Sequence, residues 1–343
     1  INLAVITVTA KDTTRPYGEP DNFHYTLAGF VNGESESVIQ NQSQITCTST
    51  ANQFTNIGQY AIETQIPTTV TAGNYTLTPA NGTLTIQRRQ VTVKADNVTT
   101  TYSGTEHNQT TNPYTGTLTY TTLASNDAAT VQLNYKRILA GNQDMSIGSF
   151  SVTHTDGSNS WDVTSNYALT MSNEDSKLVI NKKDLTITVD DYSRAYDGTD
   201  ITAQGYTISS TDGLASTDQI NASTVIYTYQ QADGSRKNAG TYNGVQLNQG
   251  NLTFTNSNVS GETPSLNSCY NITVNPGTLT VTQKACTIAV DNKYKTYGDG
   301  DPAFTGTVTG LVSDGDLGTV TYSRTNSTVN NAGFYEDVLD ASY

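Results

Sequence analysis

Four stretches of the chain alternate apolar and polar residues with a period of two: Ile6-Thr7-Val8-Thr9-Ala10, Val91-Thr92-Val93-Lys94-Ala95, Leu185-Thr186-Ile187-Thr188-Val189 and Cys286-Thr287-Ile288-Ala289-Val290. Successive side chains of a strand point to opposite faces, so each stretch predicts a strand buried on one side. A second set follows the same rule: Gly82-Thr83-Leu84-Thr85-Ile86, Ser176-Lys177-Leu178-Val179-Ile180 and Gly277-Thr278-Leu279-Thr280-Val281. The two sets take turns along the chain, as opening and closing strands of a repeating unit. The fourth opening strand meets no closing partner before Tyr343, which predicts a fourth unit truncated at its C-terminal side.

Eleven residues after the first apolar residue of each opening strand comes a tyrosine, at 17, 102, 196 and 297. Glycine follows it closely, in Pro16-Tyr17-Gly18-Glu19, Thr101-Tyr102-Ser103-Gly104, Tyr196-Asp197-Gly198 and Thr296-Tyr297-Gly298-Asp299. The opening strands are expected to end at Asp12, Asn97, Asp191 and Asn292, each tyrosine then tucking its ring under its own turn while glycine reverses the chain. A further shared block reads Asn56-Ile57-Gly58-Gln59-Tyr60, Ser146-Ile147-Gly148-Ser149-Phe150, Asn238-Ala239-Gly240-Thr241-Tyr242 and Asn331-Ala332-Gly333-Phe334-Tyr335. Fixed blocks in fixed order define repeats at 1–88, 89–182, 183–284 and 285–343.

Short alternating strands between turn signals predict an all-β fold, a tandem array of four small β-sandwiches. The Gly-x-Tyr block is similar to the tyrosine corner of immunoglobulin-like sandwiches, whose hydroxyl bonds back to the preceding loop. The alternative is a β-grasp unit, with a short helix over Leu123 to Ala129 and Leu214 to Gln219. Between repeats lie only Gln87-Arg88-Arg89-Gln90, Asn181-Lys182-Lys183-Asp184 and Thr282-Gln283-Lys284-Ala285, without the Gly/Ser content of a flexible linker. Such short junctions predict repeats stacked end to end in an elongated rod, with the five junction cations pairing to acidic loops.

These signatures resemble the MBG and YDG repeat domains of large bacterial surface proteins, many of them adhesins. Repeats one and four are similar to the Tyr-Gly-x type and share Gly29-Phe30-Val31-Asn32-Gly33-Glu34 and Gly310-Leu311-Val312-Ser313-Asp314-Gly315. Repeats two and three are similar to the other type, through Leu123-Ala124-Ser125-Asn126-Asp127 and Leu214-Ala215-Ser216-Thr217-Asp218. The resemblance implies an extracellular location on a bacterial cell, with wall attachment through regions outside this stretch. It implies either a stalk projecting a binding region or repeats that themselves bind host glycan, mucin or matrix protein.

Composition narrows the picture. The net charge of −14 opposes binding to a phosphate backbone, which needs clustered Lys and Arg, so nucleic acid is an unexpected partner. No run of 18 apolar residues is present, so no membrane insertion is expected of this stretch. A leader peptide and a sorting motif are also absent, as in a monomeric fragment of a longer protein.

Candidate chemistry is sparse. His24, His107 and His154 lack metal-type spacing, no nucleophile elbow or phosphate loop is present, and no enzymatic activity or cofactor is expected. Asp299, Asp301, Asp314 and Asp316 offer hard oxygens suited to calcium, although Asx-turns explain the same residues. Trp161, the one tryptophan, is expected on a polar loop unique to repeat two, where it would stack on a sugar or fold back onto its own domain. Lys94 alternates out of phase with Val91 and Val93, which points it to solvent and away from an isopeptide crosslink. Asn-x-Ser/Thr sequons such as Asn74, Asn81, Asn251 and Asn271 are as frequent as this composition gives by chance. A two-residue hairpin at Asn275-Pro276-Gly277-Thr278 would bring Cys269 near Cys286 for a disulfide, against a buried thiol at Cys286; Cys47 has no evident partner.

Overall fold

The computed structural model describes residues 1–172, 174–202, 204–229, 236–259 and 266–343. The chain packs as two units, Ile1–Thr101 with Thr105–Asn181, and Tyr102–Gly104 with Lys182–Tyr343. Both are all-β. Every ladder among the described residues joins strands of one and the same sequence repeat.

Repeat one, in the first unit, shows the plan. Its opening strand Ala4–Ala10 lies in a sheet between Tyr25–Ala28, antiparallel, and Tyr75–Ala80, parallel. The chain then crosses to a second sheet, where Thr13–Pro16 runs parallel to the closing strand Gly82–Gln87, itself antiparallel to Gly58–Gln65. Alternation does what the sequence predicts: Ile6, Val8 and Ala10 face the interior, Ile6 and Val8 in a cluster with Ile39, Ile45 and Tyr75, and Ala10 in the cluster that holds Leu84 and Ile86 of the closing strand. Asp12 sits at the crossing and accepts a bond from the Thr83 amide (2.7 Å), fastening opening to closing strand. Asn97 does the same for Lys177 at 2.9 Å, and Asp191 for Thr278 at 2.7 Å.

Repeat two, in the same unit, places Arg89–Lys94 between Thr119–Tyr120 and Tyr167–Met171, and Lys177–Asn181 between Val98–Thr101 and Gly141–Asp144. Repeat three, in the second unit, repeats the scheme with Lys183–Val189 between Tyr206–Ile208 and Tyr270–Asn275, and Gly277–Thr282 between Tyr192–Ala195 and Gly240–Leu247. Two packed sheets with alternating inward residues make a β-sandwich.

Several expectations need correction. Residues 123–129 and 214–219 form no helix: Asn126 is left-handed (φ 64°), and strands begin at Asp127 and Asp218. The β-grasp alternative therefore falls. No hairpin forms at Asn275–Thr278, because the strands on either side belong to different sheets. Cys269 is buried, Cys286 is exposed, and no disulfide joins them. Cys286 does not occupy a core position because repeat four holds, among the described residues, only two two-stranded sheets, Thr287–Val290 with Gly306–Thr309 and Thr321–Arg324 with Leu339–Ser342, without the closing strand that covers the core in the other repeats. Among the described residues, no buried apolar side chain lies beyond Val281.

The shared glycine block is also displaced in repeat two. In repeats one and three, Gly58 and Gly240 pair with Ile86 and Val281 of the closing strand. In repeat two the partner of Ile180 is Gly141, so the equivalent block is Gly141-Asn142-Gln143, and Ser146–Phe150 belongs to another ladder.

Candidate functional site: tyrosine turns and their sockets

The signature tyrosines do not tuck under their own turns. Tyr17 is fully buried between the two repeats, edge-on to Phe54 of its own repeat at 6.4 Å and, closer, to Tyr167 of repeat two at 5.6 Å. The turn itself is set locally: Glu19 N–H returns to the Pro16 carbonyl, and Gly18 takes φ 83°, the left-handed place of a type II turn. Glycine is required there for a second reason. A Cβ on Gly18 would stand 2.3 Å from the Ala124 Cβ of repeat two.

The socket that receives Tyr17 is built from three groups. The Ala124 amide donates to the Tyr167 hydroxyl at 3.0 Å, and that hydroxyl donates to Asp127 at 2.5 Å. The other oxygen of Asp127 meets the ring nitrogen Nδ1 of buried His154. Arg89, on the opening strand of repeat two, donates to the Tyr17 carbonyl at 3.1 Å and to Glu19 at 2.8 Å. Asn166 accepts from the Ile57 amide at 3.0 Å and donates to Asn56 at 2.9 Å. One apolar cluster, including Ile62, Leu84, Tyr17, Val91, Val152 and Tyr167, consequently runs from repeat one into repeat two.

The second unit holds the same arrangement. Tyr102 is buried, contacts Tyr270 edge-on at 5.5 Å and donates to Asp218 at 2.8 Å. The Ala215 amide donates to the Tyr270 hydroxyl at 2.9 Å, which donates to Asp218 at 2.6 Å. Asn256 donates to the Gly104 carbonyl at 2.9 Å. Gly104 has φ 79°, and a Cβ there would stand 2.1 Å from Thr217 Oγ1. Tyr196 also reaches forward, donating to Asp316 of repeat four at 2.9 Å, but that site is looser and leaves an open cleft of ≈ 530 Å³ lined by Tyr196, Leu311, Val312 and Cys286.

Electrostatics follow from burial. Burial first, and then the charge of Asp127, push the Tyr17 hydroxyl up from 10.0 to about 12. Burial and then the bond to a carboxylate raise Tyr167, Tyr102 and Tyr270 well above the ordinary tyrosine range. All four phenols are neutral at physiological pH and unsuited to proton transfer there. Tyr167, Tyr102 and Tyr270 donate to carboxylates and hold them in place.

Stretches 6–85 and 286–341 match a family model described as MBG domain (YGX type). Repeats one and four carry the match to the YGX type, consistent with tandem MBG-type repeats. Their turns, Tyr17-Gly18 and Tyr297-Gly298, set glycine directly after tyrosine, whereas Tyr102-Ser103-Gly104 and Tyr196-Asp197-Gly198 outside the match insert one residue. No curated protein matches the MBG-bearing chain in sequence. Among solved structures, Drosophila N-cadherin EC1-4 is similar at 8% identity over 82% of this chain and 76% of its own, with a TM-score of 0.20. A structure described as the basis of Dscam isoform specificity gives 9% identity, 100% and 92% coverage and a TM-score of 0.16. An endo-fucoidan hydrolase of glycoside hydrolase family 107 gives 11%, 71% and 38%, with 0.14. TM-scores this low do not amount to a shared fold.

The tyrosine corners are present in the MBG repeats and in repeat three. Tyr60, Tyr335 and Tyr242 donate to the carbonyls of Asn56 (2.9 Å), Asn331 (2.8 Å) and Asn238 (2.8 Å). In each case the accepting carbonyl lies two residues before the block glycine. In repeat two that carbonyl is Leu139, and Arg137 Nε bonds it at 2.7 Å, so a guanidinium stands in for the phenol.

The remaining candidates are scattered. Asp301 is paired with Lys295 and Arg324, both at 2.7 Å, while Asp316 accepts from Tyr196 and the Ser313 amide. Among the described residues, no group of three or more His, Cys, Asp or Glu could hold a metal ion, so Asp299, Asp301, Asp314 and Asp316 are not gathered into one calcium site. Trp161 lies on the strand Asn159–Asp162 of a hairpin rather than on a loop; its ring is 4.8 Å from that of His154 and 43% of the residue is exposed. Lys94 is exposed and paired with Asp175.

Proposed function

We propose that this chain is a spacer segment of a bacterial surface adhesin, extracellular and without enzymatic activity, whose repeats are held in series by tyrosine turns. MBG domains occur in surface proteins, and among the described residues no helix is long and apolar enough to cross a membrane. The observation that carries the reading is the Tyr17 socket. A domain that inserts a buried ring and a glycine-dependent turn into the next domain spends its distinctive residues on a joint, leaving no matching group for a ligand. The acidic, uncharged-polar surface suits a segment exposed to solvent over its length.

A binding role for the repeats has one observation in its favour, the half-exposed Trp161 ring beside His154. Glycan-array and mucin-adsorption assays separate the two. The spacer reading expects no glycan or mucin signal above a non-binding control, and specific binding abolished by Trp161→Ala would replace it.

A further inference from the structure

The sockets of repeats two and three are built alike around Asp127 and Asp218, yet they differ at the residue that faces the acid across the ladder. Asp127 pairs with His154 in the register of repeat two, and Asp218 with Asn256 in that of repeat three. Both partners are buried, and both meet the acid, His154 through Nδ1 and Asn256 through Nδ2 at 2.5 Å. The turns seated beside them differ too, Tyr17-Gly18 against Tyr102-Ser103-Gly104.

The two turns satisfy their buried glycine carbonyls from opposite sides. The Gly18 carbonyl is met within repeat one, where Gln53 Nε2 donates to it at 2.6 Å and the Gly18 amide donates to the Gln53 carbonyl at 3.1 Å. It therefore asks no donor of the socket. Phe54, the residue after Gln53, sets its ring 4.3 Å from that of His154. The Gly104 carbonyl takes its donors from the socket, Asn256 at 2.9 Å and Thr217 Oγ1 at 3.0 Å. A primary amide carries two protons on one nitrogen, so Asn256 serves carbonyl and carboxylate together, whereas an imidazole nitrogen carries one proton and cannot. Histidine in turn offers the ring face that asparagine lacks.

We propose that the residue facing the socket acid determines which class of turn a socket accepts. Histidine selects a Tyr-Gly turn, whose glycine is satisfied by its own repeat and whose neighbouring loop supplies an aromatic ring. Asparagine selects a Tyr-x-Gly turn, whose glycine carbonyl must be met from the socket. Mispairing carries a cost on both sides: a buried carbonyl without a donor in one case, an unmatched ring in the other. His154 and Asn256 thus fix which repeat type follows which, a selectivity that rests on the turns being joints.

Residue-resolved hydrogen exchange of the full chain tests it, with the Ala124 amide reporting on the first socket and the Ala215 amide on the second. Asn256→His should lower protection at Ala215 at least about tenfold, by orphaning the Gly104 carbonyl, and leave Ala124 unchanged. A serine inserted between Tyr17 and Gly18 should lower protection at Ala124. Combined with His154→Asn, whose amide then meets the displaced carbonyl, the loss should be at least about threefold smaller than the product of the single effects. A second cycle leaves the backbone unaltered: Phe54→Ala should lower protection at Ala124 at least about threefold more in the parent than in His154→Asn. Independent effects in the Phe54 cycle, independent effects in the serine cycle with the ladder of Ala4–Ala10 and Tyr75–Ala80 still protected, or an Ala215 amide indifferent to Asn256→His each overturns the selectivity and leaves the joint standing. Tyr17→Ala without effect at Ala124 overturns the joint, and the selectivity with it.

Discussion

Replacing Tyr102 by Phe removes one oxygen and keeps the ring. That oxygen donates to Asp218 at 2.8 Å in a site where Asp218 is 5% exposed. Asp218 would keep the Tyr270 hydroxyl at 2.6 Å and Asn256 at 2.5 Å, so its charge stays partly compensated. A hydrogen bond to a charged group contributes about 1.5–3 kcal/mol, which sets the expected loss. For a unit of this size that is a fall in melting temperature of about 3–12 °C. Tyr17→Phe is the internal control. The Tyr17 hydroxyl is buried beside Asp127 and Asn166 but meets the geometry of a hydrogen bond with neither, Asn166 being bonded to Ile57 and Asn56, so its removal should cost distinctly less than that of Tyr102. Thermal melts followed by circular dichroism compare the two variants with the parent. Equal losses from both, or a neutral Tyr102→Phe, would refute the assignment of Asp218 as the group that Tyr102 holds.

Other outcomes follow from the same geometry. Tyr17 ionises at about 12 in the folded chain against 10.0 unfolded, so its contribution is complete below pH 10 and is lost as pH rises towards 12. Those two units correspond to about 3 kcal/mol; ultraviolet titration of tyrosinate should show a late-ionising class, with stability falling in that window, and a single class near 10 would contradict it. Gly104→Ala forces both a left-handed alanine and a clash with Thr217, whereas Gly298→Ala meets only open space, so the first should cost distinctly more than the roughly 1 kcal/mol of the backbone term alone in chemical denaturation. Amides of residues 287–342 should exchange with solvent faster than those of Ala4–Ala10 and Gly82–Gln87, because repeat four buries no apolar side chain among the described residues; equal protection would count against this account.

Much of the fold is legible in period two. Ile6, Val8, Leu84 and Ile86 are buried where alternation puts them, and the tyrosine corner of repeats one, three and four can be read from Gly-x-Tyr. The corner of repeat two is not legible, because its bond is made by Arg137, an arginine ahead of the glycine and not an aromatic after it. Sequence also recovers the tyrosine signature without its destination. Period and turn chemistry describe the local chain, whereas Tyr17 meets Tyr167 and the charge of Asp127, and the neighbouring Gly18 abuts Ala124, all more than 100 residues away. A signal was present, since Leu-Ala-Ser-x-Asp recurs in repeats two and three with an unexplained acid that turns out to close each socket.

The central claim is that a signature turn belongs structurally to the next repeat. Hydrogen exchange of Tyr17→Ala, resolved by residue, tests it most directly. Protection should fall in repeat two at Ala124, whose amide bonds Tyr167, and at Asp127, whose amide bonds the Ala124 carbonyl at 3.2 Å. Protection of the ladder between Thr13–Pro16 and Gly82–Gln87 in repeat one should be largely kept. Loss confined to repeat one, with Ala124 and Asp127 as protected as before, would show that the tyrosine serves its own domain and contradict the joint.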